Sequence, residues 1–279
     1  MTKSLKPEFS QKGYIPYLPE LLGIDWMSVD IVLLDLDGVF YPETEEYFRT
    51  FNRVLAQSIQ EIARERGCLL GDIETIKSIT RQSYLETGSF ATYLDEYLEK
   101  QFPGVFDFQH TDHELVHHML HNMHVEHVLE TGPYFEECPN RRKFFEMLPD
   151  FKDTAILTHS NKNWGMVVAS ELGYGALFPE DRVYGLESVD FNRKDESDEA
   201  FVRICEDLCV VPERVLFIDN TSANLLYPSQ LGMQTVWIQA DRPSFDPKPD
   251  HITAQCPDLA DIENDYREWQ TVRHRPDID

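Results

Sequence analysis

Long apolar runs are absent from this chain: none approaches the roughly 18 residues of a membrane-spanning helix, so no transmembrane anchor is expected. The opening Met1-Thr-Lys-Ser-Leu-Lys-Pro carries basic residues with no apolar run behind them, and a secretory signal is not expected either. Cysteine is scarce and odd in number, with five residues (Cys68, Cys138, Cys205, Cys209, Cys256) and no Cys-x-x-Cys. That excludes a disulfide framework or a zinc ribbon and fits a reducing, cytoplasmic setting. Cys205 and Cys209, four apart beside Phe201 and Leu208, read as small core residues of one helix. Basic residues are also short: 25 Lys and Arg stand against 50 Asp and Glu, a formal charge of −25. Such a surface repels nucleic acid and anionic membranes. A phosphorylated substrate would be repelled too, unless a bound metal ion or a placed lysine reverses the field locally. There is no internal repeat and no low-complexity tract.

What is present begins with Ile31-Val-Leu-Leu-Asp35-Leu-Asp37-Gly38. A short, wholly apolar run that stops at a turn residue reads as a buried parallel strand. Side chains at i and i+2 of an extended chain point the same way, so Asp35 and Asp37 are expected to converge at the carboxyl end of that strand. Open α/β sheets bind ligands at that edge. Two acids held there suit a divalent cation, a nucleophile paired with a general acid, or both.

Helical periodicity follows. Phe48, Phe51, Leu55, Ile59 and Ile62 form one stripe that Gly67 stops. Further helices are marked by Ile73, Ile76 and Ile79, by Phe90, Leu94, Tyr97 and Leu98, and by the stretch from about Asp112 to Glu130. Strand and helix then alternate: strands at 153–158, 182–185, 215–219 and 234–238, with helices carrying Trp164, Val167, Val168 and Leu172, then Phe201, Ile204 and Leu208, the second capped by Ser197. This pattern predicts an α/β fold, a doubly wound parallel sheet with a second, smaller all-helical domain. The expected division is a core of residues 1–41 and 133–279 and a helical cap of residues 42–132, which would sit over the active edge as a lid.

Two further apolar strands also end in polar residues. One runs into Thr158-His159-Ser160-Asn161, the other into Asp219-Asn220-Thr221, with Asn224 further on and Lys194 in the polar stretch between them. In a parallel sheet these ends share one edge, where a nucleophile, hydroxyl donors, a cation and a metal-binding acid can surround a bound anion.

With Asp35-Leu-Asp-Gly-Val39, Ile156-Leu-Thr158, Lys194 and Phe217-Ile-Asp-Asn-Thr221 in this order, the chain resembles the haloacid dehalogenase superfamily of phosphotransferases. The resemblance implies an aspartyl-phosphate mechanism. Asp35 is the implied nucleophile, and Asp37 the general acid that later activates water. Asp35 and Asp219, with Asp37 through its backbone carbonyl, are the implied ligands of Mg²⁺. Thr158 and Lys194, with His159 and Ser160 beside them, are the implied phosphoryl contacts. Two places depart from the pattern. Asn220 stands where many relatives carry a second acid, and Lys194 lacks the proline that usually follows, which leaves Lys162 as an alternative cation.

The dehalogenase branch lacks the second acid of the first motif, so Asp37 implies a phosphate ester, hence a small phosphorylated metabolite as partner. Asp35 to Pro42 is similar to the opening of the pyrimidine 5′-nucleotidase-like group, with Ser83-Tyr84 and Thr87-Gly88-Ser89 in the insertion; a nucleoside 5′-monophosphate is the first expectation, a sugar phosphate or phosphoglycolate the second. Tyr84, Phe90 and Tyr93 are candidates to stack on a base. The insertion also holds His110, His113, His117, His118, His121, His124 and His127. His113, His117, His121 and His124 share one helix face, where imidazoles at i and i+4 can clamp Zn²⁺ or serve a sensing or partner contact. A catalytically silent binding or regulatory protein on the same fold is the rival class.

Overall fold

The computed structural model describes residues 22–87, 90–107, 111–133, 135, 139–239 and 247–273. Six strands, all parallel, form one sheet in the order β3-β2-β1-β4-β5-β6. They are β1 (Ile31–Leu34), β2 (Asp153–Leu157), β3 (Val183–Tyr184), β4 (Val215–Asp219), β5 (Gln234–Ile238) and β6 (Ala254–Cys256). β1 lies at the centre, with Leu34 in register with Ile156 on one side and Ile218 on the other.

The strands are apolar throughout because both faces are covered. Ile31, Leu33, Ala155, Leu157, Val215 and Phe217 enter one cluster. Val32, Leu34, Ile156, Leu216 and Ile218 enter the other. The first face packs on α7 (Glu199–Asp207) through Phe201 and Ile204. The second packs on α5 (Pro139–Met147), α6 (Lys162–Glu171) and α9 (Leu259–Arg273) through Phe144, Trp164, Val168 and Ile262. The strand order reverses between β1 and β4, which opens a crevice at their carboxyl ends.

Between β1 and β2 run α1 (Glu45–Glu65), α2 (Ile73–Thr87), α3 (Ala91–Gln101) and α4 (Thr111–Thr131). Thr44 caps α1 by accepting from the Tyr47 N–H at 3.1 Å, with Glu45 and Glu46 in the first turn. Gly67 closes that helix at a φ of 71°, a left-handed position that glycine adopts freely. Leu55, Ile59, Ile62, Ile76, Leu94, Leu98, Val116 and Leu120 make a separate apolar cluster for these helices. α4 belongs to both regions: Val116 and Leu120 join that cluster, while Val125 and Val128 join the apolar layer against the sheet.

The periodicity finds all four helices of the insertion, but the second runs well past the last marked residue, Ile79, to Thr87. Elsewhere the structure corrects local readings. The cap position of α7 is Asp198, not Ser197, and it makes no side-chain cap hydrogen bond. Cys205 is buried as expected, but Cys209 lies beyond the helix end, exposed, at a φ of 50°. α5, β6, α9 and the short α8 (Leu226–Gln230) complete the fold. Among the described residues no helix is long and apolar enough to cross a membrane.

Candidate active site

The sheet's alternation carries Asp35 and Asp219 out on the face shared by Leu33 and Phe217, one residue beyond β1 and at the last residue of β4. Lys194 comes from that same side. Its ammonium donates to Asp35 Oδ1 at 2.6 Å and to Asp219 Oδ2 at 2.8 Å, with the Leu157 carbonyl at 3.4 Å. All three side chains are buried, Lys194 and Asp219 to 1% exposure or less. Two successive non-glycine residues in the left-handed region, Asp190 and Phe191, reverse the chain ahead of this lysine. Such positions cost on the order of 1 kcal/mol or more each and persist where the surroundings over-determine them.

Burial works against the Lys194 charge, but Asp219 and Asp35 outweigh it and its pKa rises. Burial pushes the Asp35 carboxyl well up; Lys194 opposes this, while Asp219 and Asp37 add to it. One ammonium thus faces two buried carboxylates, and surplus negative charge remains. Asp219 is further held by the Thr221 N–H at 2.7 Å and by the Asn224 amide at 2.9 and 3.1 Å.

Asp37 lies in different company. The strand ends at Leu34, and the Val39 and Phe40 N–H groups fold back on the Leu36 carbonyl, with Gly38 at a φ of 79°. The i, i+2 alternation therefore does not carry through to Asp37, and the two acids share no hydrogen-bond partner among the described residues. Oδ1 of Asp37 accepts from the Trp164 indole at 3.1 Å, from the Tyr47 hydroxyl at 3.4 Å and from the Tyr41 hydroxyl. Oδ2 accepts from Ser160 at 2.9 Å and from Thr158 at 3.4 Å. Every donor is neutral. The Asp37 charge nevertheless reaches Asp35, so the acids stand over one crevice.

The remaining predicted residues fall into place around these two groups. Thr158 and Ser160 stand together, the Ser160 N–H donating to the Thr158 hydroxyl at 2.9 Å. His159 turns to the lysine segment: its Nε2 accepts the Lys194 N–H at 3.0 Å, which makes Nδ1 the protonated nitrogen. Lys162 points elsewhere, 3.9 Å from Glu180. Asn220 packs over Gly38 so closely that a Cβ there would sit 2.0 Å from its amide nitrogen, so residue 38 must be glycine. Sequence reasoning had Trp164 only as a core face; the signal that could have found its role was an indole three residues into a helix that follows a polar strand end. Its backbone N–H is capped by Asn161 at 2.8 Å, which fixes that position.

The histidine stripe packs into the fold. Among the described residues no group of three or more His, Cys, Asp or Glu is arranged to hold a metal ion, and His110 lies outside those residues. His117, His121 and His124 are buried at the seam between α4 and the sheet domain, and the N–H groups of the first two serve the fold. His117 Nε2 donates to the His159 carbonyl at 2.9 Å, and His121 Nδ1 donates to the His117 carbonyl at 2.7 Å. Burial depresses the pKa of each, His124 to about 3.

A cleft of about 790 Å³ opens between α1 and α2, lined by Tyr47, Phe48, Phe51, Tyr84, Phe90 and Arg81 among others. Burial, then Glu43 and the site carboxylates Asp37 and Asp35, push the Tyr84 hydroxyl up to about 12, which places that hydroxyl within their field. Tyr93 takes no part; it donates to Glu86 at 2.6 Å. Gly88 and Ser89 lie outside the described residues.

A parallel sheet whose switch point holds two carboxylates bridged by a buried lysine, with a third carboxylate beside two hydroxyls, is the site of a hydrolase. The profile of the haloacid dehalogenase-like hydrolases matches residues 29–226, and the chain belongs to that family. No curated protein matches it. Among solved structures it is similar to a HAD phosphatase from Thermococcus onnurineus, at 18% identity and a TM-score of 0.54, covering 85% of this chain and 97% of that one. A predicted phosphoglycolate phosphatase from Haemophilus somnus 129pt gives 16% identity and a TM-score of 0.54 over 85% and 97%. The 2-haloacid dehalogenase from Pseudomonas syringae pv. Tomato DC3000 gives 16% and 0.53 over 86% and 99%. Likeness at these identities extends to the fold.

Proposed function

We propose that this hydrolase is a Mg²⁺-dependent phosphomonoesterase in which Asp35 is the nucleophile. The carrying observation is the second acid. Displacing a halide needs no proton at the leaving group, whereas expelling an alkoxide does, and Asp37 stands at the crevice as a carboxyl group held by proton donors. Asp35 engages Lys194 through Oδ1, which leaves Oδ2 to attack phosphorus. The P–O bond to the leaving oxygen breaks as the bond to Asp35 forms, Asp37 supplies the proton, and Asp37 then takes one from water as the aspartyl phosphate is hydrolysed. Lys194 and the Thr158 and Ser160 hydroxyls hold the phosphoryl oxygens, and His159 holds the Lys194 backbone.

The donor chemistry fits a hard cation. Asp35 and Asp219 are buried oxygen ligands whose combined charge exceeds what the single Lys194 ammonium neutralises. Mg²⁺ bound by Asp35, Asp219 and the Asp37 backbone carbonyl would neutralise repulsion between the carboxylates and the substrate.

The cleft between α1 and α2 is the place for the leaving group, with residues 42–132 acting as a lid over the sheet edge. Its ring faces at Phe48, Phe51, Tyr84 and Phe90 support a nucleoside 5′-monophosphate as substrate, ahead of a sugar phosphate or phosphoglycolate. Phosphate release from a panel of nucleotides and sugar phosphates, with and without Mg²⁺, tests the reading. Turnover that requires Mg²⁺ and is lost in Asp35→Asn supports it; a wild-type protein inert across the panel with Mg²⁺ and Mn²⁺ overturns it.

A further inference from the structure

Seven histidines crowd residues 110–127, and the proposed chemistry uses none of them. Two of the buried ones, His117 and His124, lie seven residues apart on the same face of α4. Each meets a residue that holds one of the reacting groups. The His124 ring stacks on the Trp164 indole, centroids 4.3 Å apart and planes within 2°. That indole donates to Asp37 Oδ1. The His117 ring donates to the His159 carbonyl, and the His159 ring accepts the Lys194 N–H. His121 lies between them, its ring 4.4 Å from His117 and its N–H on the His117 carbonyl.

We propose that the α4 histidines are positioning residues that brace the two halves of the site separately: His124 fixes Asp37 through Trp164, and His117 fixes Lys194 through His159. The inference rests on the phosphatase reading for its kinetic form, but its contacts stand independently. Trp164 has no backbone reason to aim its indole at a carboxylate. The ring is wholly buried in the apolar layer, and there the parallel imidazole covers one face, with Phe135 edge-on at 6.4 Å, in the pose that donates. Asp37 cannot turn from Oδ1 to Oδ2 without breaking bonds on both sides, since Ser160 and Thr158 grip the other oxygen. The Lys194 segment, by contrast, is irregular and follows two left-handed residues, so its backbone needs an external tie. His159 supplies it, and His117, flanked by Phe191 at 5.6 Å, keeps His159 seated. Imidazoles suit this seam because each offers one donor, one acceptor and a flat face without a charge. Phenylalanine could reproduce only the flat face.

The two braces act on different events, which separates them experimentally. Asp37 protonates the leaving oxygen, so its misplacement hurts alkyl phosphates, whose alkoxide needs a proton, far more than 4-nitrophenyl phosphate, whose phenolate leaves unaided. Lys194 serves the phosphoryl group, which both esters share. His124→Ala and Trp164→Phe are therefore expected to lower kcat by about tenfold or more on glycerol phosphate and by less than about threefold on 4-nitrophenyl phosphate, with KM little changed. His124→Phe, which keeps the stack, is expected to retain most activity on both. His117→Phe and His159→Phe are expected to slow both esters alike. Equal losses on the two esters in His124→Ala, or none, would overturn the Asp37 brace; a leaving-group-selective loss in His117→Phe would overturn the assignment of the second.

A readout without turnover keeps the inference distinct from the phosphatase reading. In the ¹⁵N spectrum of the full chain, the Trp164 indole resonance, assigned by Trp164→Phe, is expected to shift in both Asp37→Asn and His124→Ala and to hold its place in His117→Phe. If the wild-type protein hydrolyses neither ester, the phosphatase reading falls and this resonance decides the brace: shifts in both variants sustain it, and an unmoved indole removes it.

Discussion

Two carboxylates two residues apart are held in opposite ways. Asp35 sits in an ionic half, against a buried ammonium that also grips Asp219. Asp37 sits in an aromatic and hydroxyl half, where five side chains donate and none is charged. The difference matches the work each group is proposed to do. A nucleophile and metal ligand acts in its ionised form, and the neighbouring Lys194 works in that direction against the burial that raises the Asp35 pKa. An acid–base group must change protonation twice per cycle, and neutral donors let it do so without leaving a lysine unpaired in a dry site. The contrast extends to the helices between β1 and β2. The ionic half is built from sheet ends and one loop, while the neutral half recruits Tyr47 from α1 and, through Trp164, His124 from α4.

The sharpest way to break this comparison is Asp35→Asn. Turnover of any phosphate ester is expected to fall by at least about a thousandfold, as for other covalent nucleophiles. Its melting temperature should nevertheless match or exceed that of the wild type. Asp35 is a buried carboxyl whose pKa is raised, so at neutral pH its charge opposes folding. A large loss of stability in that variant would refute the surplus negative charge.

Lys194→Met comes next. It leaves two carboxylates buried and uncompensated, at an expected cost of about 3–5 kcal/mol in denaturant unfolding. The sign with pH follows from the carboxylates. Burial already raises the Asp35 carboxyl and loss of Lys194 removes the charge that opposes this, so the folded variant binds a proton at Asp35 first; it should regain stability as pH falls toward 5, and added Mg²⁺ should raise its melting temperature at pH 7.

The histidine seam predicts the reverse pH trend for the wild type. The pKa values of His117, His121, His124 and His159 are all depressed in the folded chain by burial. Below the ordinary value near 6.5 the unfolded chain takes up protons that the folded one refuses, so stability is lost as pH falls from there toward the folded values. Each such group weakens the fold by up to about 1.4 kcal/mol per pH unit over that window. Thermal melts between pH 7.5 and 4.5 measure the trend, and His124→Phe should flatten it.

The smallest expected effect is that of Ser160→Ala. Removing one of five donors to Asp37 should cost about 1 kcal/mol in denaturant unfolding, because the remaining four keep the carboxylate satisfied. A loss several times larger would mean the neutral half is as brittle as the ionic one.

Much of this was legible along the chain. Ile31–Leu34 and Val215–Asp219 announce buried strands, and the acids that end them fall on one face because alternation is a local property of extended backbone. Helices of the insertion follow from periodicity for the same reason. The company of Asp37 was not legible: alternation along the strand does not say that this acid meets Trp164, Tyr47 and Ser160 while Asp35 meets Lys194. Asp198 took the cap position expected of Ser197 because the loop's path, not propensity, sets where a short helix starts. α9 had its spacing written in Leu259, Ile262, Tyr266 and Trp269, but α5 and β6 are too short for a period to declare itself.

By itself, the order of residues determined the strand ends, the acid pair, the lysine and the helical insertion, since each is a pattern over near neighbours. Folding alone decided that Lys194 would be buried between Asp35 and Asp219, that Trp164 would serve Asp37, and that His117, His121 and His124 would line a seam. Those outcomes depend on contacts between residues some 25 to 160 positions apart. No local pattern encodes which distant side chain fills a given hydrogen bond, because that choice is made when the layers pack.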